Sequence, residues 1–253
     1  MRGRAIPLSA PRRFLIDMLR MASKIPTVPV QRRMRLAAVA EARQAADPRP
    51  GWAALFLKAY ARTAASVPEL RRAYVQLPWP HLYEYPESTA TVAIEREFGG
   101  EKAVFFGRVK HPDTLPLAGV ESQLRHLATA PLDQVKPFRK MLWFAGLPRP
   151  VRRALMWVGL NLPRSRPEQF GTFGLSVYSA LGAESLHPLS PLTTTLTYGV
   201  IGPDGCCDVR LVYDHRVLDG AVVARALALL EEELTGPVCD ELRAMSPDRL
   251  RAA

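Results

Sequence analysis

A chain of 253 residues, 48% hydrophobic and 23% charged, can bury a core without disulfide or metal staples, which excludes a wholly disordered protein. With 34 Lys/Arg against 24 Asp/Glu its net charge is +10 and its pI near 9.9. That balance favours an anionic partner, and charge alone does not choose among coenzyme A, an acidic carrier protein, a membrane surface and nucleic acid.

In chain order, Arg2 and Arg4 precede an apolar stretch broken by Pro7, Pro11 and Asp17, so no signal peptide is read there. Arg12–Met21 has helical spacing through Phe14, Leu15, Met18 and Leu19. Pro26, Pro29 and Pro48 bracket a stretch without clear pattern. Gly51–Val67 reads as a mostly buried helix that Pro68 stops. Ala90–Phe98 and Ala103–Val109 alternate around Gly99-Gly100, a β-hairpin with a glycine turn. Leu117, Val120, Leu124 and Leu127 mark another helical face. Phe173–Val177 and Thr193–Ile201 read as strands, and the Gly202–Gly205 turn leads into Cys206–Tyr213, expected to pair with the second. Ala221–Leu234 is an amphipathic helix. The order predicts one α+β domain over residues 1–253 with a mixed or antiparallel sheet.

Cys206, Cys207 and Cys239 make no disulfide framework, and no CxxC or HxxxH spacing suggests a metal. A reducing, cytoplasmic location fits. No apolar run approaches the roughly 18 residues needed to span a bilayer. Zinc-finger spacing, an RNA-recognition signature and a recognition-helix pattern are all missing, which argues against nucleic acid.

Chemistry concentrates in Tyr213–Gly220, YDHRVLDG, between an apolar strand and an apolar helix. A strand end is a rigid platform for a side chain over a cleft. His215 there can take a proton from a thiol, hydroxyl or amine attacking a carbonyl. HxxxDG alone is also met by a partly buried histidine followed by Asp219 as a helix cap.

YDHRVLDGAVVARALALLEEEL resembles the closing signature of the catalytic domain of 2-oxoacid dehydrogenase acyltransferases, DHRxxDGAxxARFLxxLxxxL. That family shares the chloramphenicol acetyltransferase-type fold, a two-layer α/β sandwich with a mixed sheet. The resemblance makes His215 the general base and Asp219 its loop-holding partner, with Gly220 in support. Upstream, GTFGLSVYSALG (Gly171–Gly182) resembles GTFTISNLGxxG and places the oxyanion-binding serine on Ser176. Arg12-Arg13 before FLIDML resembles the opening RRxIAxxM helix, so one of Arg12 and Arg13 is expected to pair with Asp219. The implied enzyme is an acyltransferase with no bound cofactor. Its donor is a thioester, acyl-CoA or an acyl group on an acidic carrier protein, and it forms a homotrimer whose sites lie between subunits. A trimeric scaffold without turnover, or a membrane-surface module, is the alternative.

The resemblance is thin between Gln134 and Pro167. This segment holds eight Lys/Arg and no Asp or Glu, with Trp143, Phe144, Met156 and Trp157 among them. It reads as two amphipathic helices with a solvated basic face, or as a carrier-protein dock, a hydrophobic acyl site or a peripheral membrane patch. Phe170 and Val177 also replace a glycine and an asparagine of the family pattern.

Overall fold

The computed structural model describes residues 3–247; residues 1, 2 and 248–253 of the expected domain lie outside them. The elements are α1 (Ala10–Ala22), β1 (Thr27–Arg35), α2 (Ala37–Ala45), α3 (Trp52–Ser66), the small pair β2 (Arg72–Val75) and β3 (His81–Glu84), and the hairpin β4 (Thr89–Phe98) and β5 (Glu101–Lys110). Then come α4 (Leu117–Thr129), α5 (Lys136–Gly146), α6 (Arg149–Asn161), α7 (Arg166–Phe170), β6 (Phe173–Leu175), β7 (Thr194–Tyr198), β8 (Cys206–Asp214), α8 (Gly220–Glu233) and α9 (Cys239–Ala244).

The main sheet has six strands in the order β1-β8-β7-β6-β4-β5. β6 runs parallel to β4 and β7, and the other neighbours are antiparallel, so the sheet is mixed as expected. In the β4–β5 hairpin Phe98 faces Glu101 across Gly99 and Gly100, whose φ values of 59° and 81° suit a glycine pair in a tight turn.

Period-two alternation gives the sheet two different faces. On one, Val92, Phe105, Phe173, Leu196 and Leu211 are buried under α3, α4 and α8. Tyr60 of α3 lies 4.4 Å from the Phe173 ring and shares a 2.7 Å hydrogen bond with the Thr194 hydroxyl. Phe56 stacks on Tyr198 at 4.1 Å. A Cβ at Gly107 would stand 2.5 Å from the Leu127 side chain, so β5 can approach α4 this closely only with glycine there.

On the other face, over β4 and β5, a smaller cluster forms from Met18, Met156 and Leu160 with Phe14, Phe106 and Phe144 around them. Its roof is α1 and the two helices of the basic segment. α5 also covers the exposed sheet edge at β5: its Phe138 lies 5.1 Å from Phe105 on the core face, while Phe144 meets Phe14 at 5.8 Å on the other.

Two elements, β1 and α2, fall where no pattern was legible. β1 is an outermost strand, so Gln31, Arg32, Arg33 and Arg35 stay exposed and Pro29 is tolerated.

Candidate active site

His215 follows directly on β8 and is fixed on several sides. Its backbone N–H donates to the Pro26 carbonyl at 2.9 Å. Its Nδ1 lies 3.1 Å from the Leu218 carbonyl oxygen, which can only accept. Nδ1 therefore carries the proton, and Nε2 keeps a free lone pair. The ring meets Tyr213 edge-on at 5.6 Å, and the side chain is half-exposed.

The residues on either side of His215 clamp the loop. Asp214 is 3% exposed and accepts two bonds from Arg216, at 2.9 Å from Nε and 2.7 Å from Nη2. It also accepts the Arg216 backbone N–H at 3.0 Å. The guanidinium lies 4.5 Å over the Tyr74 ring. Nothing in a single DHR triplet shows that Asp and Arg two residues apart will close on each other around the histidine, so this clamp was not read from the sequence.

Asp219 takes the N-cap position of α8, but its carboxylate makes no capping hydrogen bond. It is 85% exposed and lies 3.8 Å from His215 Nδ1. The pairing expected with Arg12 or Arg13 is not formed within the chain. Both arginines lie in the first turn of α1, next to Phe14, which meets Phe106 of β5 and Phe144 of α5, whereas the chain after α1 leads to Pro26, whose carbonyl accepts from the His215 N–H. Arg12 is exposed, and the buried Nε of Arg13 has no hydrogen-bond partner among the described residues. A Cβ at Gly220 would meet the Tyr213 hydroxyl at 3.4 Å, an ordinary contact.

Ser176 follows β6, its backbone N–H donating to Leu196 O at 3.1 Å. It stands level with Thr197 and hence with Arg210 of β8, and His215 lies five residues beyond. The two side chains are therefore about 16 Å apart along the strands and about 10 Å across them, roughly 19 Å in all. One chain does not bring them together.

Ser176 instead lines a cavity of about 540 Å³ on the second sheet face. Thr91, Ala93, Val104, Phe106, Gly174 and Thr195 form its floor. α1, α5, α6 and the loop around Leu189 form its walls.

The basic segment is less of a charged surface than its sequence suggests. Arg152 and Arg153 each hold one oxygen of the buried Asp17 carboxylate of α1, both at 2.8 Å. Arg166 is buried and donates to the carbonyls of Tyr74, Leu160 and Pro191. The missing carboxylate was present more than a hundred residues upstream. Burial alone would raise the Asp17 carboxyl, but the bonds from Arg153 and Arg152 outweigh it and hold the group below the usual carboxylate range. Lys136, Arg139, Lys140, Arg149 and Arg164 remain exposed. Among the described residues no group of three His, Cys, Asp or Glu side chains is placed to hold a metal ion, and no helix is long and apolar enough to cross a membrane.

No protein-family model and no curated protein matches the sequence. Solved structures do. The chain superposes on the Azotobacter vinelandii dihydrolipoamide acetyltransferase with a TM-score of 0.67 at 16% identity, covering 96% of this chain and 94% of that one. The cubic core of a pyruvate dehydrogenase multienzyme complex gives the same values. Chloramphenicol acetyltransferase matches at 0.51 and 15%, covering 96% and 100%. The chain has the chloramphenicol acetyltransferase-type fold. The Azotobacter enzyme is one in which a serine, a histidine and an asparagine were investigated for their roles in catalysis. At 15–16% identity these likenesses speak for the fold alone.

Proposed function

We propose that the protein is an acyltransferase that moves an acyl group from a thioester to a hydroxyl, amine or thiol, with His215 as general base. The observation that carries the reading is the held imidazole: Nδ1–H donates to the Leu218 carbonyl, leaving Nε2 free on a clamped strand-end loop. Nε2 takes the acceptor's proton as that group attacks the thioester carbonyl. The Ser176 hydroxyl donates a hydrogen bond to the oxyanion that forms. The tetrahedral intermediate collapses, the carbon–sulfur bond breaks, and the thiolate leaves with the proton that His215 returns. Asp219 stands beside the imidazole, 3.8 Å from Nδ1.

The separation of roughly 19 Å within one chain means that His215 and Ser176 cooperate only if supplied by two copies. A homotrimer with sites between subunits satisfies this. The net charge of +10 and the exposed cations near the cavity favour an anionic donor, coenzyme A or an acidic carrier protein, in the cytoplasm.

Release of free thiol from acyl-CoA is measured with a panel of hydroxyl, amine and thiol acceptors. His215→Ala should lower kcat by about 10²–10⁴ without unfolding the protein. Mixing His215→Ala with Ser176→Ala protein under subunit exchange should restore part of the rate, since some sites then hold both residues. Near-normal turnover in His215→Ala would remove the base from the mechanism.

A further inference from the structure

We infer that the cavity behind Ser176 holds the acyl chain of the donor, and that this chain is of medium or long length rather than an acetyl group. The inference rests on the acyl-transfer reading, which puts the reacting carbonyl at the Ser176 hydroxyl. From a carbonyl held there, an acyl chain leads into the space that Ser176 borders.

That space suits hydrocarbon. Phe14 and Met18 of α1, Phe106 of β5, Met141 of α5 and Met156 of α6 contribute to its walls. None of the lining side chains is a carboxylate. The arginine on the floor, Arg108, is turned to the Gln169 carbonyl, and Lys140 is exposed. Methionines adapt to a flexible ligand at little cost. A methylene takes up about the volume of a water molecule, roughly 30 Å³. Two acetyl carbons would leave most of the 540 Å³ empty, whereas a chain of about 10–16 carbons occupies roughly 300–480 Å³ of it. An apolar space of this size is poor for water, so occupancy by a chain offsets a real cost.

The roof comes from the segment where the sequence departs from the acyltransferase pattern. α5 and α6 bring Trp143, Leu155 and Leu162 to the cavity, and all three stay exposed. Asp17 pins α6 to α1 through Arg152 and Arg153, which keeps the chamber open beneath the two helices.

The test is calorimetric titration of the full chain with butanoyl-, octanoyl- and dodecanoyl-CoA, each below its micelle concentration. Kd should fall about two- to fourfold per added methylene, the upper value being ~0.8 kcal/mol converted at room temperature. Ala93→Phe fills the floor, and Leu155→Trp fills the rim from a surface position that tolerates a larger residue. Each should weaken dodecanoyl-CoA at least about tenfold and leave butanoyl-CoA nearly unchanged, with melting curves confirming the fold. His215→Ala should keep the whole chain-length series. A Kd flat across the series, or indifferent to both fillings, overturns the chain pocket; if His215-dependent turnover persists, the acyltransferase reading survives. A steep series with turnover unaffected by His215→Ala leaves the pocket in place and removes the catalytic reading.

Discussion

Asp17→Asn tests how the roof of the cavity is held. The carboxylate is 1% exposed and is shared by two guanidinium groups, one 8% and one 23% exposed. Asparagine keeps the size and one acceptor but removes the charge, leaving two cations facing a neutral amide. Breaking a buried ion pair from one side costs about 3–5 kcal/mol. Arg153 can swing to solvent, and Arg152 keeps its 2.8 Å bond to the Leu147 carbonyl, which points to the low end, about 3 kcal/mol. For a domain of this size that lowers Tm by roughly 6–12 °C. Differential scanning calorimetry reads the shift, and hydrogen exchange should locate the loosening in α1 and α6. The double replacement Asp17→Leu with Arg152→Met should recover much of the loss, because an apolar pair needs no compensation. A Tm change below about 2 °C for Asp17→Asn would mean that the triad is not coupled to folding and that the basic segment is a solvated surface after all.

The same carboxylate sets an acid response. Its proton is held less tightly folded than unfolded, so the pair's stability is complete above about pH 4 and is lost as pH falls through the lower folded value; Tm against pH between about 5 and 2 should show the fall, and Asp17→Asn should flatten it. Arg216→Lys loses the two-bond grip on Asp214 and the stack on Tyr74; kcat should drop about tenfold or more, with a Tm loss of a few degrees. Asp219→Ala removes no capping bond, so Tm should move by less than about 2 °C, against the larger loss typical of a true cap. Burial pushes the Cys207 thiol up to about 12, and Cys239 is raised as well; alkylation of the native protein near pH 8, read by mass spectrometry, should label the half-buried Cys206 first.

What the sequence made legible was whatever repeats with a period or copies a motif. The hairpin around Gly99-Gly100, the helix over Trp52–Ser66, the β7–β8 pair and the α8 helix stood out because burial on one face writes itself as alternation or as a helical stripe. β1 did not, since an edge strand with four exposed polar side chains carries no such rhythm. Among site residues, His215 and Ser176 could be named from motif likeness, but the distance between them is a matter of strand register, which no local pattern states. The Asp214–Arg216 clamp and the Asp17–Arg152–Arg153 triad were illegible for another reason. Both satisfy buried charges, one across two residues and one across more than a hundred, and a charge count along a segment cannot see a partner on a distant helix.

The two unlike faces of the sheet place opposite demands on adjacent letters of the chain. Val104 looks into the cavity, while Phe105, next to it, is sealed in the core, and Ala93 and Val92 stand in the same relation. Changes at Val92 and Phe105 therefore fall on folding, and changes at Ala93 and Val104 fall on the shape of the chamber. Ligand preference can drift through a series of neutral steps there without spending stability.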